Sequence, residues 1–313
     1  MKIITLAIDP GQKPQRLDLY LVNKINDLSR SKAQELIAAG LVKQSGSVVK
    51  RASQKTLAGS SLEVTMPTRT QVELIPQQID LDIIYEDENL LAINKPAHLV
   101  VHPAFGNWDG TLCNAVLGYL ANNNDQSNTQ VNKPQIGIVH RLDKDTSGII
   151  LVAKKTTAMS FLQKQFKRRT VKKTYLALIK GSISPLQGSI EAPLGRDPKD
   201  RKKIAVTAEG KPALSHYQCR QYYQDPQKPD QTYSLIEVQP QTGRTHQIRV
   251  HLSSIGYPIM GDSTYGKPHP NLSRQFLHAK SLLINLPDNP AQLFEAPLAP
   301  DLQDFLSALK PLP

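Results

Sequence analysis

Nowhere does this sequence reach the ~18 consecutive apolar residues that a membrane-spanning helix needs. Its opening apolar stretch, "KIITLAI", stops at Asp9 and Pro10, too short for a secretory signal. Cysteine is nearly missing. Cys113 and Cys219 stand far apart, with no CxxC and no histidine at ligand spacing. That excludes a disulfide scaffold and a structural zinc site and points to a reducing, cytoplasmic setting. The glycine pattern of a dinucleotide-binding turn is also missing. What remains is an ordinary globular composition, 39% hydrophobic and 21% charged, in 313 residues, enough for two domains.

The most informative absence is of negative charge. From Thr146 to Ile190 there is no Asp or Glu, while Lys154, Lys155, Lys164, Lys167, Arg168, Arg169, Lys172, Lys173 and Lys180 are all basic. Unpaired cations in such a stripe repel one another, and a phosphate backbone relieves that repulsion while releasing counterions. The whole chain carries +11 at pH 7. Nucleic acid is therefore the leading partner, and "LGRDPKDRKKIAV" adds Arg196, Arg201, Lys202 and Lys203 to the same field.

Periodicity divides the chain in two. "RLDLYLVNKI" places Leu17, Tyr20, Leu21 and Ile25 at helical spacing, and "SRSKAQELIAAG" predicts a second helix, capped by Ser29 or Ser31 and ended by a left-handed Gly40. A hairpin is expected around Ser45-Gly46 and a strand in "SSLEVTM". Up to residue 70 there are eleven Lys or Arg against five Asp or Glu. The segment "PTRTQVELIPQQ" reads as a linker, so the domains are expected at 14–70 and 76–313. In the second, "LDIIYEDENLLAINKPAHLVVHP" reads as two strands around an acidic turn. "NNNDQSNTQVNKPQ" reads as a mobile polar loop, and "TAMSFLQKQFKR" followed by "KKTYLALIKG" as a helix and a strand.

Within "QIGIVHRLDKDTSGIILVAK" two apolar runs, Ile136 to Val139 and Ile149 to Ala153, enclose His140, Arg141, Asp143, Lys144 and Asp145. Charge placed between dry strands is either a solvated turn or a site, because an unpaired buried charge costs several kcal/mol. "THQIRVHLSSIG" predicts a helix started by Thr245 and ended at Gly256, with His246 and Arg249 on one face. An arginine partner favours the ionised form of a carboxylate, which is the form a carboxylate nucleophile needs. Tyr175 lies in a strand and offers a ring on which a base can stack and a hydroxyl that can handle a proton.

Residues 14 to 65, with "RLD" in the first helix and "SR…AQELI" in the second, resemble the S4-type RNA-binding domain. "GIVHRLDKDTSGIILVAK", "KTYLALIKG" and "TGRTHQIRVHL…GYPIMGD", in this order, resemble the motif series of RluA-family pseudouridine synthases over most of residues 80 to 300. The resemblance implies an α+β catalytic domain with a mixed, mostly antiparallel central sheet. It makes Asp143 the catalytic aspartate, Arg249 its partner, and Tyr175 the residue that packs on the target base and takes part in proton transfer. Arg141 would enter the RNA stack where the base left it, and Arg30, Lys32, Arg196 and Arg244 are the further RNA-contact candidates. It also implies a single chain acting on RNA, most simply ribosomal, with neither metal nor cofactor.

Two other classes compete. "DKDTS" fits a phosphoaspartate pattern, but His140 and Arg141 interrupt the apolar strand that such a pattern needs, and no distant Asp pair completes a Mg²⁺ site. A non-catalytic RNA-binding assembly factor fits the charge and has no need of Asp143, Tyr175 and Arg249 together.

Overall fold

The computed structural model describes every residue except 1, 27, 68–73, 105, 123–136 and 287–289. Most of the polar loop expected from Asn122, and part of the expected linker, lie outside the described residues. The chain divides into two compact units, Met1–Val72 and Glu73–Pro313.

In the first unit the elements run β1 (Lys2–Ala7), α1 (Leu17–Lys24), α2 (Arg30–Ala38), β2 (Val42–Gln44), β3 (Ser47–Val48) and β4 (Ser61–Met66). The opening apolar stretch is thus a strand, antiparallel to β4 from Lys2↔Met66 to Ala7↔Ser61, so the unit begins ahead of the expected residue 14. Ser29 caps α2 by accepting from the Lys32 amide at 3.2 Å, and Gly40 ends it at φ 71°. Ser45 and Gly46 both take positive φ, the turn that matches strand twist in a two-residue hairpin. Leu17, Tyr20, Leu21, Leu36, Ile37, Leu62 and Val64 bury completely or nearly so between helices and sheet. Each contributes about 1.5 to 3 kcal/mol of transfer free energy. Asp18, of "RLD", has no exposure yet stays charged, because Arg16, Arg30 and Gln34 all donate to it. The Arg16 bond is the chief cause that holds its carboxyl well below the ordinary range.

In the second unit the elements begin with β5 (Ile83–Glu86), β6 (Leu90–Lys95), α3 (Leu112–Asn122), β7 (Gly137–Ile138), β8 (Ser147–Ala153), α4 (Thr156–Arg168), β9 (Lys172–Lys180) and β10 (Gln187–Glu191). There follow β11 (Leu194–Arg196), β12 (Ile204–Val206), β13 (Leu214–Asp225), β14 (Lys228–Pro240), α5 (Gln247–Ser254), β15 (Leu277–Ile284), β16 (Gln292–Glu295), α6 (Pro300–Ser307) and β17 (Lys310–Pro311). The main sheet runs β10-β13-β14-β9-β15-β8-β6-β5, with β7 on β8, β16 on β15 and β17 on β13; β11 and β12 form a separate hairpin. The pairings are antiparallel except β15 with β8, which run parallel through His278↔Ser147 and Ala279↔Gly148. This is the mixed, mostly antiparallel α+β arrangement that the sequence motifs imply.

Gly148 explains how that parallel contact closes. At φ 110°, any Cβ there would collide with the Ala279 carbonyl, so the glycine of "TSG" lets β15 seat against β8. On one side of the seam Leu91, Ile93, Val116, Ile150 and Leu162 form one core; on the other Leu178, Tyr233, Ile236, Leu252, Phe276 and Leu302 form a second. Tyr175 packs against both. No helix among the described residues is long and apolar enough to cross a membrane.

Candidate active site

The segment between β7 and β8 is a tight turn, closed by the Thr146 amide donating to the Asp143 carbonyl at 3.1 Å. Two buried cations pin its backbone. Lys95, without exposure at the end of β6, donates to the carbonyls of Pro96 (2.6 Å), Leu99 (3.0 Å) and Lys144 (3.1 Å). Burial pushes its ammonium down to about 7, while the Asp145 carboxylate pulls the other way. Arg274, 2% exposed, donates to the Asp145 carbonyl at 3.0 Å and to Ser147 Oγ at 3.2 Å, its other donors held by Asp301 at 2.6 and 2.8 Å. Ser147 Oγ in turn pairs with His278 Nδ1 at 2.9 Å, a ring that burial holds at about 4 and therefore neutral.

The five ionisable side chains of the turn thus have separate roles. His140 is a structural acceptor: its Nε2 takes the Leu151 amide at 3.0 Å, and its ring stacks on Phe166 at 4.8 Å. Burial, then Lys173, hold it at about 3, so it stays neutral. Lys144 is exposed, and Asp145 pairs with His98 Nδ1 at 2.8 Å on the outside of the turn. Arg141 is exposed and, like Asp143, lines a cleft of about 440 Å³.

Arg249 Nη1 donates to Asp143 Oδ2 at 3.3 Å. Its fork, however, is bound to Asp262, with Nε to Oδ2 at 2.7 Å and Nη2 to Oδ1 at 2.9 Å. Asp262 has no exposure and also accepts the amides of Thr264 (2.9 Å) and Tyr265 (3.0 Å). Burial alone would raise its carboxyl; the Arg249 fork and the two amides outweigh that and hold it below the ordinary value. Neighbouring Gly261, at φ 74°, is required because a Cβ would strike the Arg274 carbonyl. The arginine is therefore an aimed cation: Asp262 fixes its plane, and one remaining N–H reaches Asp143. Among the described residues, Oδ1 of Asp143 accepts no hydrogen bond.

The helix carrying Arg249 starts later than Thr245. His246 takes a left-handed conformation (φ 54°) ahead of Gln247, because Gln247 folds back on the preceding loop, its Oε1 accepting Thr242 Oγ1 at 2.7 Å and the Arg244 amide at 3.0 Å. That turns the imidazole out of the helix. Its Nδ1 meets Tyr265 Oη at 2.8 Å, and its Nε2 lies 4.0 Å from Asp143 Oδ2. Tyr265 Oη accepts the Ile204 amide at 3.0 Å, and the Arg249 guanidinium lies over its ring at 5.1 Å.

Tyr175 lines the same cleft, half-buried, with burial and then the Asp143 carboxylate pushing its phenol upward. Around it stand Arg141, Lys167, Arg169, Lys173, Arg244 and Arg249, with Asp143 the single acidic side chain of the lining among the described residues. The structure thus brings Asp143, Tyr175, Arg249, Arg141 and Arg244 into one cleft. Arg196 is exposed on the β11–β12 hairpin, where its Nη1 holds the Arg201 carbonyl at 3.0 Å. Arg30 and Lys32, in the first unit, are exposed but internally paired, with Asp18 at 3.2 Å and Glu35 at 2.8 Å. Sequence reasoning missed Asp262, Lys95 and Arg274. The signals for the first two were an acid ending the apolar "YPIMGD" and a lysine ending the strand "LLAINK"; Arg274 had none.

A deep, basic cleft with one pinned carboxylate, a half-buried phenol and an aimed arginine defines an enzyme that works on a polyanion. Residues 89–254 match the family described as RNA pseudouridylate synthase, and residues 15–60 match the S4 domain. The chain belongs to the RNA pseudouridine synthases. It is 40% identical to the RNA pseudouridine synthase YlyB of Bacillus subtilis (strain 168), over 99% of each chain. It is 41% identical to the ribosomal large subunit pseudouridine synthase D of Neisseria meningitidis serogroup B, covering 94% of this chain and 79% of that one. Among solved structures, human RNA pseudouridylate synthase domain containing 1 superposes with a TM-score of 0.60 at 27% identity, over 75% of this chain and 90% of that one.

Proposed function

We propose that this enzyme isomerises uridines of large-subunit ribosomal RNA to pseudouridine in the cytoplasm, as a single chain without metal or cofactor, with Asp143 Oδ1 as the attacking atom. The observation that carries the reading is the asymmetry of Asp143. Arg249 engages Oδ2 alone, which leaves Oδ1 with no hydrogen bond among the described residues, in a cleft that is otherwise cationic. The relatives named as ribosomal large subunit enzymes support the choice of RNA.

The reaction breaks the bond from the ribose anomeric carbon to uracil N1 and makes one to C5; the C5 proton leaves and N1 gains one. No electrons are gained or lost, so no redox group is needed. The uridine first leaves its stack, at a cost of a few kcal/mol that cationic contacts offset. Oδ1 then attacks the anomeric carbon or the uracil ring, and Arg249 keeps the carboxylate ionised and oriented. Tyr175, a neutral phenol at working pH, packs its ring on the base while the uracil turns. It is placed to receive the C5 proton only as the phenolate, which its surroundings make scarce and strongly basic. Arg141 and Arg244 hold the RNA at the cleft, Arg196 extends that contact along the hairpin, and the S4 domain, through Arg30 and Lys32, adds affinity.

The test is pseudouridine mapping of total RNA from cells with and without this chain, complemented by wild type and by Asp143→Asn. Sites that vanish and return only with wild type establish the target and the need for the Asp143 carboxylate together. An unchanged map, or equal rescue by the variant, overturns the proposal.

A further inference from the structure

Lys173 lies two residues before Tyr175 on β9, so both side chains leave the same face of the strand. It lines the cleft, half-buried, and among the described residues no carboxylate, carbonyl or hydroxyl pairs with its ammonium. Its charged neighbour is Arg169, another cation, and His140 beside it is neutral. Burial first, and Arg169 second, push its ammonium down. A cation drawn away from water without a counter-charge is unfavourable in the free protein. Arg169 shows a second expense at the same place. It ends α4 in the left-handed conformation, at φ 61°, where glycine fits without strain; its guanidinium is exposed and has no protein partner among the described residues, so it is free to meet a ligand.

Both residues worsen the free protein, and both line the wall that holds Tyr175. We propose that Lys173 and Arg169 form a subsite for one backbone phosphate beside the flipped uridine, an inference that rests on the reading of this cleft as the uridine site. A phosphodiester suits the pair. It brings one negative charge and two oxygens, the first for a point cation and the second for a guanidinium. A flipped nucleotide carries such a group on each side of its ribose. Lys95 and Arg274 show the contrast: these buried cations are saturated by the protein's own carbonyls and Asp301, and they hold the turn.

The experiment uses the full chain and a synthetic RNA stem-loop containing a uridine that wild type isomerises, with the phosphate 5′ or 3′ of that uridine replaced in turn by an uncharged methylphosphonate. For wild type, one of the two replacements is expected to raise KM about ten- to a hundredfold with a smaller change in kcat. Lys173→Met should raise KM similarly on unmodified RNA and show no further penalty from the neutral linkage, whereas Lys173→Arg should keep the wild-type sensitivity. The free proteins supply the opposite sign: Lys173→Met should melt no lower than wild type, and Arg169→Gly should melt higher while binding the RNA more weakly. If Lys173→Met responds to both neutral linkages as wild type does, or melts lower with KM unchanged, the subsite is wrong although the enzyme turns over. If wild type isomerises no uridine in any RNA, the reading of the cleft falls first. Should Lys173→Met not fold, the same comparison with Arg169→Gly decides.

Discussion

Asp262→Asn is the substitution for which the structure gives the sharpest numbers. The carboxylate is fully buried and receives two bonds from Arg249 and two from backbone amides. An asparagine keeps the shape, loses the charge and turns an NH₂ toward groups that are all donors. Arg249, whose side chain is 8% exposed, keeps at most one bond to the asparagine oxygen beside the 3.3 Å bond to Asp143 and loses its charged partner. Breaking a buried pair by removing one partner costs about 3 to 5 kcal/mol. At about 2 to 4 °C per kcal/mol for a unit of this size, the melting temperature should fall by about 6 to 20 °C. The freed guanidinium turns to Asp143 and binds both oxygens, so turnover should fall about a hundredfold through misplacement of the nucleophile. Thermal unfolding by circular dichroism and tritium release from RNA carrying [5-³H]uridine read the two effects. Asp262→Leu combined with Arg249→Met separates them: removing both charges should recover most of the stability and none of the turnover. The acid limb gives a further check. A carboxyl held low in the fold contributes fully above its unfolded value of about 3.9 and loses that contribution as pH falls through the lower folded value. The asparagine variant lacks that loss. A variant that melts within about 2 °C of wild type and turns over at the same rate would refute the aimed-arginine argument.

Asp143→Asn should abolish tritium release while changing RNA affinity by no more than a few fold; residual turnover above a hundredth of wild type would remove Oδ1 from the chemistry. His278 is neutral in the fold and held at about 4, so the unfolded chain takes up a proton that the native state refuses. Stability should therefore fall as pH drops from about 6.5 toward 4, and His278→Gln should flatten that fall in pH-dependent melts. Deleting residues 1–72 should weaken RNA binding and shallow the plot of log affinity against log salt, by about 0.7 for each phosphate of single-stranded RNA that the S4 domain neutralises. An unchanged slope would mean that the S4 domain does not touch the RNA.

The fold was legible where periodicity and punctuation coincided. Ser29, Gly40 and the Ser45-Gly46 turn were readable because each supplies a local hydrogen bond or a positive φ that neighbouring residues cannot. β1 was not, because Asp9 and Pro10 broke its apolar run early and its partner, β4, lies over fifty residues away. In the site, Asp143, Tyr175 and Arg249 stood out as reactive types in motif positions. Lys95 showed only as a lysine ending a strand and Arg274 not at all, because their partners, loop carbonyls and the Asp301 carboxylate, come together only in the fold. The start of α5 was misplaced for a related reason: a side-chain bond from Gln247 to its preceding loop outweighed the capping preference of Thr245.

β15 has a consequence for timing. The strands on either side of it, β10-β13-β14-β9 and β8-β6-β5, are otherwise unconnected half-sheets. Asp143 belongs to the second, while Tyr175 lies in the first and Arg249 on the helix that follows it. All three groups precede β15 in the chain, yet the half-sheets that carry them are paired through that later strand. The strand that is made late, β15, is thus the one that pairs with both β8 and β9 and brings the two halves of the site into register.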